Sequence, residues 1–339
     1  MKAKQFTALA IVAAVCLSAA IASYATSISW SSGAAVGAAL FDNIRKAPPD
    51  IARIEIQQAG NNLTLERSGK DWLLKEREGF PASADKVRAL LQGLAEADLV
   101  EKKTRKPDRY ALLGVEDPRD TGSKSRLVRL IDAQGKPVAQ AIVGNRRIDA
   151  FGSGKAGTYV RLPGEQQSWL TDTVIEAGIG LRDWVDPQIV LSASPQIKSV
   201  SLNAPGKEKV EIERTADGSH VLKDIPVGMK IKYVNAIDDM LDAVASYQFD
   251  DVRRRKVSPA PDKVSTAVIN LDSGVEVTVR MERQDGSAWV AFDAKGEGDA
   301  KAAADALMAR VKDWEFRVPA SKIGAVFKSR EDLLEKIAS

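Results

Sequence analysis

The chain contains two segments that follow the same pattern of strands and turns, and this repetition constrains the fold more than any single motif does. The first segment is Ile51–Lys75 (IARIEIQQAGNNLTLERSGKDWLLK), and the second is Ile197–Lys223 (IKSVSLNAPGKEKVEIERTADGSHVLK). Each has three short runs in which apolar and polar residues alternate, and turn residues separate the runs. In both segments the second run ends in Glu-Arg and the third in Leu-Lys. The pattern predicts a three-stranded antiparallel meander at both places.

An amphipathic helix pattern follows each meander. Apolar residues recur at helical spacing over Ser83–Leu99 and over Tyr233–Val244, where Val234, Ile237 and Leu241 lie on one face. Each helix is followed by further strand patterns, of which Tyr247–Val252 reads as one strand.

A second helix and an Asp-Trp pair close each half of this pattern. The predicted helices are Thr171–Gly178 and Ala300–Val311, and the pairs are Asp183-Trp184 and Asp313-Trp314. Because the same elements recur in the same order, we predict an α+β fold of two similar antiparallel sheet-plus-helix units that arose by internal duplication.

The amino-terminal segment predicts a membrane anchor. Lys2 and Lys4 precede an uncharged, mostly apolar run over Phe6–Ala22. A cleaved signal peptide that ends at Ser23-Tyr24-Ala25 is the alternative, but the run exceeds the usual ~7–15 residues of a signal core. We therefore favour a single-pass inner-membrane anchor with the body in the periplasm or another extracytoplasmic space. The predicted divisions are the leader at 1–25, a connector at 26–50, a first α+β unit at 51–190 and a second at 191–339.

Composition argues against several classes of protein. Of 339 residues, 49 are Lys or Arg and 46 are Asp or Glu, so the net charge is only +3 and a general nucleic-acid binder is not expected. The single cysteine, Cys16, lies in the leader, and the single histidine is His220. The body therefore has no disulfide, no thiolate metal site and no histidine cluster, and we predict neither a cofactor nor a metal.

Two other features allow a functional and a structural interpretation. His220 takes the place of Trp72 in the repeat, either as an acid–base residue or as an ordinary strand residue. Asp238, Asp239 and Asp242 lie on one helix, either as metal ligands or as a solvated acidic face. We favour the structural interpretation of both, because no partner constellation is visible beside His220 and the apolar stripe of the helix lies elsewhere.

Two basic runs occupy equivalent places after the two predicted helices, and they are the candidate binding residues. They are Lys102, Lys103, Arg105 and Lys106 in the first half, and Arg253, Arg254, Arg255 and Lys256 in the second. As positive patches they would bind anionic lipid headgroups, an anionic envelope polymer or an acidic partner. The alternative, which we favour, is that they protect exposed strand edges from pairing with other chains.

The tryptophans divide by context. Trp72, Trp169 and Trp289 lie in strand patterns and are expected in the core. Trp184 and Trp314 share the Asp-Trp context and are expected to cover the edge of each unit. Trp30 follows the leader and fits a membrane interface.

An ordered set of segments resembles the domain-of-unknown-function 4340 family. The set begins with the anchor and continues with IARIEIQ, LTLER, WLLK, FPASADKVRALLQGLAEADLVE, RYALLGVEDP, LIDAQGKPVAQAIVGNRR and GTYVRLPGEQQSWL. The resemblance implies a bacterial membrane-anchored extracytoplasmic protein of unknown activity, and similar domains occur with auxiliary subunits of gliding-type ABC transporters. It carries over no functional residues.

Three functional hypotheses follow. The first is a non-enzymatic envelope protein, a scaffold or auxiliary subunit of an ABC-transporter-like membrane complex with an envelope protein partner. The second is a binding module for an anionic envelope polymer or lipid. The third, ranked last, is a hydrolase whose carboxylates are brought together only by the fold.

Overall fold

The computed structural model describes residues 36–47, 49–152, 154–256, 263–284 and 286–337. The predicted leader and Trp30 lie outside the described residues. The chain divides into two units, Met1–Val185 and Asp186–Ser339, and each is built around one large antiparallel sheet with helices, which makes the fold α+β. Among the described residues, no helix is both long and apolar enough to cross a membrane.

Ten described strands form the sheet of the first unit. They are β1 (Ala38–Ala39), β2 (Ile51–Gln58), β3 (Asn61–Ser68), β4 (Asp71–Leu74), β5 (Phe80–Pro81), β6 (Asp98–Lys102), β7 (Arg126–Asp132), β8 (Pro137–Arg147), β9 (Gly157–Arg161) and β10 (Ser168–Thr171). Their order is β1-β6-β10-β9-β8-β7-β2-β3-β4-β5, with antiparallel neighbours throughout. The predicted meander is confirmed at β2, β3 and β4, and β2 joins it to the rest of the sheet by pairing with β7.

Helices accompany this sheet. They are α1 (Asp42–Lys46), α2 (Ala84–Glu96) and α3 (Tyr110–Leu113). The predicted helix after the meander is confirmed as α2, which buries the apolar stripe Val87, Leu90 and Leu94. The predicted helix over Thr171–Gly178 is wrong, because Thr171 ends β10 and the residues after it have no helical structure. The N–H groups of Asp172 and Ile175 bond to the sheet instead, to the carbonyl of Asp98 at 3.3 Å and to the hydroxyl of Thr158 at 3.0 Å.

Both faces of the first sheet are buried near its middle. On the inner face, Ile54 and Leu65 belong to the main core. On the outer face, a second apolar cluster joins Tyr110, Val115, Leu127 and Ile142, with Leu113 and Tyr159 packed against it. The guanidinium of Arg161 lies 4.6 Å from the centre of the Tyr110 ring, and its Nε donates to the carbonyl of Val115 at 2.8 Å. The segment that contains α3 is thereby fixed onto the outer face.

Twelve described strands belong to the second unit. They are β11 (Gln188–Val190), β12 (Ile197–Asn203), β13 (Val210–Arg214), β14 (His220–Leu222), β15 (Met229–Ile231), β16 (Ser246–Gln248), β17 (Asp251–Arg254), β18 (Val264–Leu271), β19 (Glu276–Gln284), β20 (Ser287–Lys295), β21 (Trp314–Pro319) and β22 (Leu334–Lys336). Eight form the main antiparallel sheet in the order β14-β13-β12-β18-β19-β20-β21-β17, and β11–β16 and β15–β22 form separate pairs. The predicted single strand over Tyr247–Val252 is wrong, because this stretch splits between β16 and β17 in different sheets.

The second unit also contains four described helices. They are α4 (Ala236–Ala245), α5 (Ala300–Val311), α6 (Ala320–Val326) and α7 (Arg330–Leu333). The predicted helix over Ala300–Val311 is confirmed, but α4 begins three residues later than predicted, and Val234 lies outside it with 97% of its surface exposed. The inner face of the main sheet contributes to a buried aromatic cluster. The ring centre of Phe292 lies 5.0 Å from that of Tyr247 and 6.0 Å from that of Phe316.

The two main sheets share a strand order. The order β6-β10-β9-β8-β7-β2-β3-β4 in the first matches β17-β21-β20-β19-β18-β12-β13-β14 in the second, element by element along the chain. Within their own sheets, Trp72 is the register partner of Arg67, and His220 is the register partner of Arg214.

The predicted match between the two Asp-Trp pairs is wrong. Trp184 follows a short 3-10 helix and is fully buried, with its Nε1 donating to the carbonyl of Gly178 at 2.9 Å. Trp314 is instead the first residue of β21, a strand of the main sheet. The reason lies in α5, which separates β20 from β21, whereas only a short turn separates β9 from β10.

Candidate functional site

The main sheet of the second unit has two chemically different faces. In β18, β19 and β20 buried side chains alternate with half-buried or exposed ones over most of each strand, so one face is core and the other is accessible. The accessible outer face contains a groove of about 260 Å³. Its lining residues are Asn203, Arg255, Lys256, Val264, Thr266, Arg280, Glu282, Trp289, Ala291 and Glu315.

Strand register arranges the middle of this groove in two rows. In the first row, Thr266 pairs with Asn203 on one side and with Arg280 on the other, and Arg280 pairs in turn with Ala291. In the second row, Glu282 pairs with Val264 and with Trp289. Residues from four successive strands are therefore brought together, although they are far apart in sequence.

Ion pairs organise the charges along the groove. Asp293 accepts hydrogen bonds from Arg255 at 2.9 and 2.8 Å and forms a second ion pair with Arg280. Hydrogen bonds from Arg255 hold the pKa of Asp293 below its ordinary value, and the same bonds raise the pKa of Arg255. Arg253 donates from Nε to the buried carboxylate of Glu315 at 2.7 Å.

Trp289 lies in this groove and not in the core. Its side chain is on the outer face and half-buried, and the guanidinium carbon of Arg253 lies 3.8 Å from the ring centre. The prediction that Trp289 is a core residue is therefore wrong. Its strand pattern was recognised correctly, but the face to which it points depends on the register with β19.

The second basic run supplies residues to both faces of the sheet. Arg253 and Arg255 take part in the outer-face ion pairs, and the exposed Lys256 lines the groove. Arg254 points the other way, with its guanidinium carbon 4.0 Å from the centre of the Trp314 ring. Because β17 is the last strand of the sheet, this run also lies on a sheet edge, as edge protection requires.

The first basic run is arranged differently. Lys102 lies 5.4 Å from the ring centre of Trp169, its register partner on β10. Lys103 forms an ion pair with Glu101 at 2.5 Å. The exposed charges of Arg105 and Lys106 have no ion-pair partner in the described part of the chain.

The other candidate residues have structural environments. His220 is half-buried on β14, with Nε2 2.7 Å from the carbonyl oxygen of Ile197. Asp238, Asp239 and Asp242 are exposed on α4, and Asp242 accepts a hydrogen bond from Ser194. Within the described ranges, no group of three or more His, Cys, Asp or Glu side chains is placed to hold a metal ion.

The chemistry of the groove suits recognition. It offers an aromatic face, fixed guanidinium donors and two lining carboxylates, of which Glu315 is already in an ion pair. Arg280, Glu282, Asp293 and Glu315 are not among the residues that the sequence predicts as site residues. A signal exists in β19 (EVTVRMERQ), where polar residues alternate with Val277, Val279 and Met281, but the partners of these residues come from strands that only the topology brings alongside.

Comparisons with known proteins identify one family. No curated protein and no solved structure matches the chain significantly. The family model described as "Domain of unknown function (DUF4340)" matches residues 72–273, which is more than half of the chain and includes parts of both units. The predicted resemblance is confirmed, and the chain belongs to the DUF4340 family.

Proposed function

We propose that the protein is a non-enzymatic, membrane-anchored envelope protein that serves as a scaffold or auxiliary subunit of an ABC-transporter-like complex. The observation that carries this proposal is the groove of the second unit, which is lined by the half-buried Trp289 and by members of an ion-paired network, with Arg253 stacked on the Trp289 ring. Trp and Arg are the residues that most often dominate protein–protein interfaces. The groove is accordingly the surface that receives the partner.

The pairing of charges favours recognition over catalysis. Arg253 and Arg255 are bound to Glu315 and Asp293 through side-chain hydrogen bonds, so their geometry is set before a partner arrives. Preorganised polar groups lose little conformational entropy on binding. A general acid or base instead needs a carboxyl free to exchange a proton with substrate, and Glu315 is held by Arg253.

The leader supports the location. Lys2 and Lys4 precede the apolar run Phe6–Ala22, which favours retention of the amino end in the cytoplasm and export of the body. We place the protein in the inner membrane as a single-pass protein with both units on the extracytoplasmic side. The common strand order of the two sheets and the shared register of Trp72 and His220 support internal duplication of one ancestral unit.

Site-specific photocrosslinking in the native membrane tests the proposed docking surface. A photoreactive residue at Thr266, in the middle of the groove, should give an adduct with a subunit of a membrane complex. The same residue at Asp238, on the exposed face of α4, is the matched control and should not. Identical adducts from both positions, or none from position 266, would contradict the proposal.

A second candidate function, binding of an anionic polymer or lipid, is favoured by one observation. Arg105 and Lys106 are exposed and lack ion-pair partners among the described residues. The full chain in which Lys102, Arg105 and Lys106 are changed to Gln should bind anionic vesicles less well than the wild type, and wild-type binding should weaken with salt. Salt-insensitive binding that the substitutions leave unchanged would exclude this function.

A further inference from the structure

A pocket in the first unit lies between α2, the sheet and the irregular segment that follows β10. Its volume is about 640 Å³. Lys86 and Ala89 contribute from α2, Arg126 from the start of β7, and residues 174–179 from the irregular segment. The pocket lies in the size range of small-molecule sites, which is about 300–1,000 Å³.

Positive charge exceeds negative charge in the pocket wall. The lining cations are Lys86, Arg126, Arg146 and Arg182, and the lining carboxylates are Glu176 and Asp183. Among these cations, Arg146 forms an ion pair within the described structure, with its Nη1 3.6 Å from Oε1 of Glu176. The ammonium of Lys86 is held by the carbonyls of Arg182 and Val185, at 2.6 and 2.9 Å, and these neutral groups leave its charge unbalanced.

The guanidinium of Arg126 is only partly satisfied. Its Nη2 donates to the carbonyl of Gly144 at 2.5 Å, but its buried Nε has no hydrogen-bond partner in the described structure. Burial lowers the pKa of Arg126, and the nearby charges of Asp183 and Glu176 do not offset that effect. Arg126 is partly buried and forms no direct ion pair among the described residues, which is unfavourable for a cation, and a bound anion would relieve this cost.

The irregular segment adds main-chain donors. The N–H groups of Glu176, Ala177, Gly178 and Ile179 have no hydrogen-bond acceptor within the described ranges. Guanidinium groups and free main-chain N–H groups are the two donor types that proteins use most for phosphate and carboxylate oxygens. Apolar lining from Ala89 suits an uncharged remainder of the ligand.

We propose that this pocket binds a small organic oxyanion, a molecule with a phosphate or carboxylate group, and that Arg126 is the principal charged contact. The groove of the second unit is lined by different residues, so binding of an oxyanion in this pocket does not depend on the proposed docking function.

Calorimetry and thermal shift with the full chain test the oxyanion site. The probes are inorganic phosphate, glycerol phosphate and succinate, with glycerol as the uncharged control. At least one anion should bind with millimolar affinity or better and raise the melting temperature, whereas glycerol should do neither. Vesicles of phosphatidylglycerol form a separate arm. If these vesicles compete with the soluble anion, the ligand is a lipid headgroup, and if they do not, it is a soluble molecule.

Matched substitutions locate the site. Arg126→Gln should weaken binding by about tenfold or more, and Arg126→Lys should restore only part of it, because lysine lacks the planar donor pair. If Arg126→Gln does not fold, the exposed Arg182→Gln tests the same pocket from its rim. Arg88→Gln, on α2 but outside the pocket lining, should leave binding unchanged. Binding that is equal in all variants, or the absence of binding for every anion, would overturn the proposal.

Discussion

The outer face of the first sheet is covered by its own chain, whereas the outer face of the second sheet contains a charged groove. In the first unit, Tyr110 packs with Leu127 and Ile142 in one buried cluster. Leu127 and Ile142 are register partners on β7 and β8, and the register partners at the matching place on β18 and β19 are Thr266 and Arg280. One strand order therefore supports two outer faces of opposite character.

The connection that follows the matching strands β6 and β17 accounts for much of this difference. Residues 103–125 join β6 to β7 in the first unit, and the shorter stretch 255–263 joins β17 to β18 in the second. The longer connection contains α3 and supplies the apolar residues that cover the sheet. The two units therefore share a strand order and differ in one connection and in the outer-face residues that lie beneath it. This difference makes the outer face of the first sheet part of the core and leaves that of the second as a candidate binding surface.

The largest expected effect comes from the covered face. Ile142→Ala should lower the free energy of unfolding by about 3 kcal/mol, because the side chain is buried between two layers and its removal leaves a cavity. The matched change Arg280→Ala should cost less than about 1 kcal/mol, because Arg280 is partly exposed and Asp293 keeps Arg255 as a partner.

Denaturant unfolding of the full chain measures both changes. The transition should move to lower denaturant for Ile142→Ala much more than for Arg280→Ala. Equal losses would mean that the groove face contributes as much to stability as the covered face, which would contradict the expected difference between the two faces.

A smaller effect is expected when only the hydroxyl of Tyr110 is removed from the segment that covers the first sheet. The hydroxyl of Tyr110 donates to the carbonyl of Gln166 at 2.5 Å, so Tyr110→Phe leaves the ring in place and that carbonyl without this donor. We expect a loss of about 1 kcal/mol in the free energy of unfolding. The amide hydrogens of α3 should also exchange faster in Tyr110→Phe than in the wild type. Unchanged exchange would show that this hydrogen bond does not fix the segment that contains α3 to the sheet.

The regular elements were accessible from sequence, because period-two and helical patterns are local. The two meanders, α2 and α5 all follow from such patterns. Elements determined by non-local bonding do not follow from local patterns. Within Thr171–Gly178, the N–H groups of Asp172 and Ile175 donate to strands and not to helical acceptors, and Tyr247–Val252 is divided between two sheets.

The candidate site could be predicted only in part, for the same reason. The basic run at Arg253 was found, because four adjacent charges stand out. Its partners Glu315 and Asp293 come from β21 and β20, and Trp289 was assigned to the wrong face. The run AQAIV in β8 lacks strict alternation, and this was the available sign that both faces of the first sheet are buried.

Acidification should weaken the groove network selectively. Hydrogen bonds from Arg255 hold the pKa of Asp293 in the folded protein below its ordinary value of 3.8. The ionised carboxylate therefore stabilises the folded state fully at pH values above 3.8, and this stabilisation is lost as the pH falls through the lower pKa of the folded state. Asp293→Asn should therefore cost about 1 kcal/mol at neutral pH and nothing once the wild-type carboxyl is protonated. Unfolding curves of both proteins across this range measure the effect. A gap that does not narrow in acid would contradict the ion-pair explanation, and Asp238→Asn, on the exposed face of α4, is the matched control.

The smallest expected effect compares Lys102 and Arg254, which each lie over the tryptophan that is their register partner. Arg254 is 4.0 Å from the Trp314 ring centre and Lys102 is 5.4 Å from that of Trp169, so Arg254→Ala should cost more than Lys102→Ala. We expect about 0.5–1 kcal/mol for the arginine and less for the lysine, because cation–π attraction at exposed sites is modest. Arg254→Lys should recover the charge but not the planar stacking, and should therefore fall between the wild type and Arg254→Ala. If Lys102→Ala proves the more costly change, the shorter cation–ring distance at Arg254 does not give the stronger interaction, and the two sites differ in some way other than ring contact.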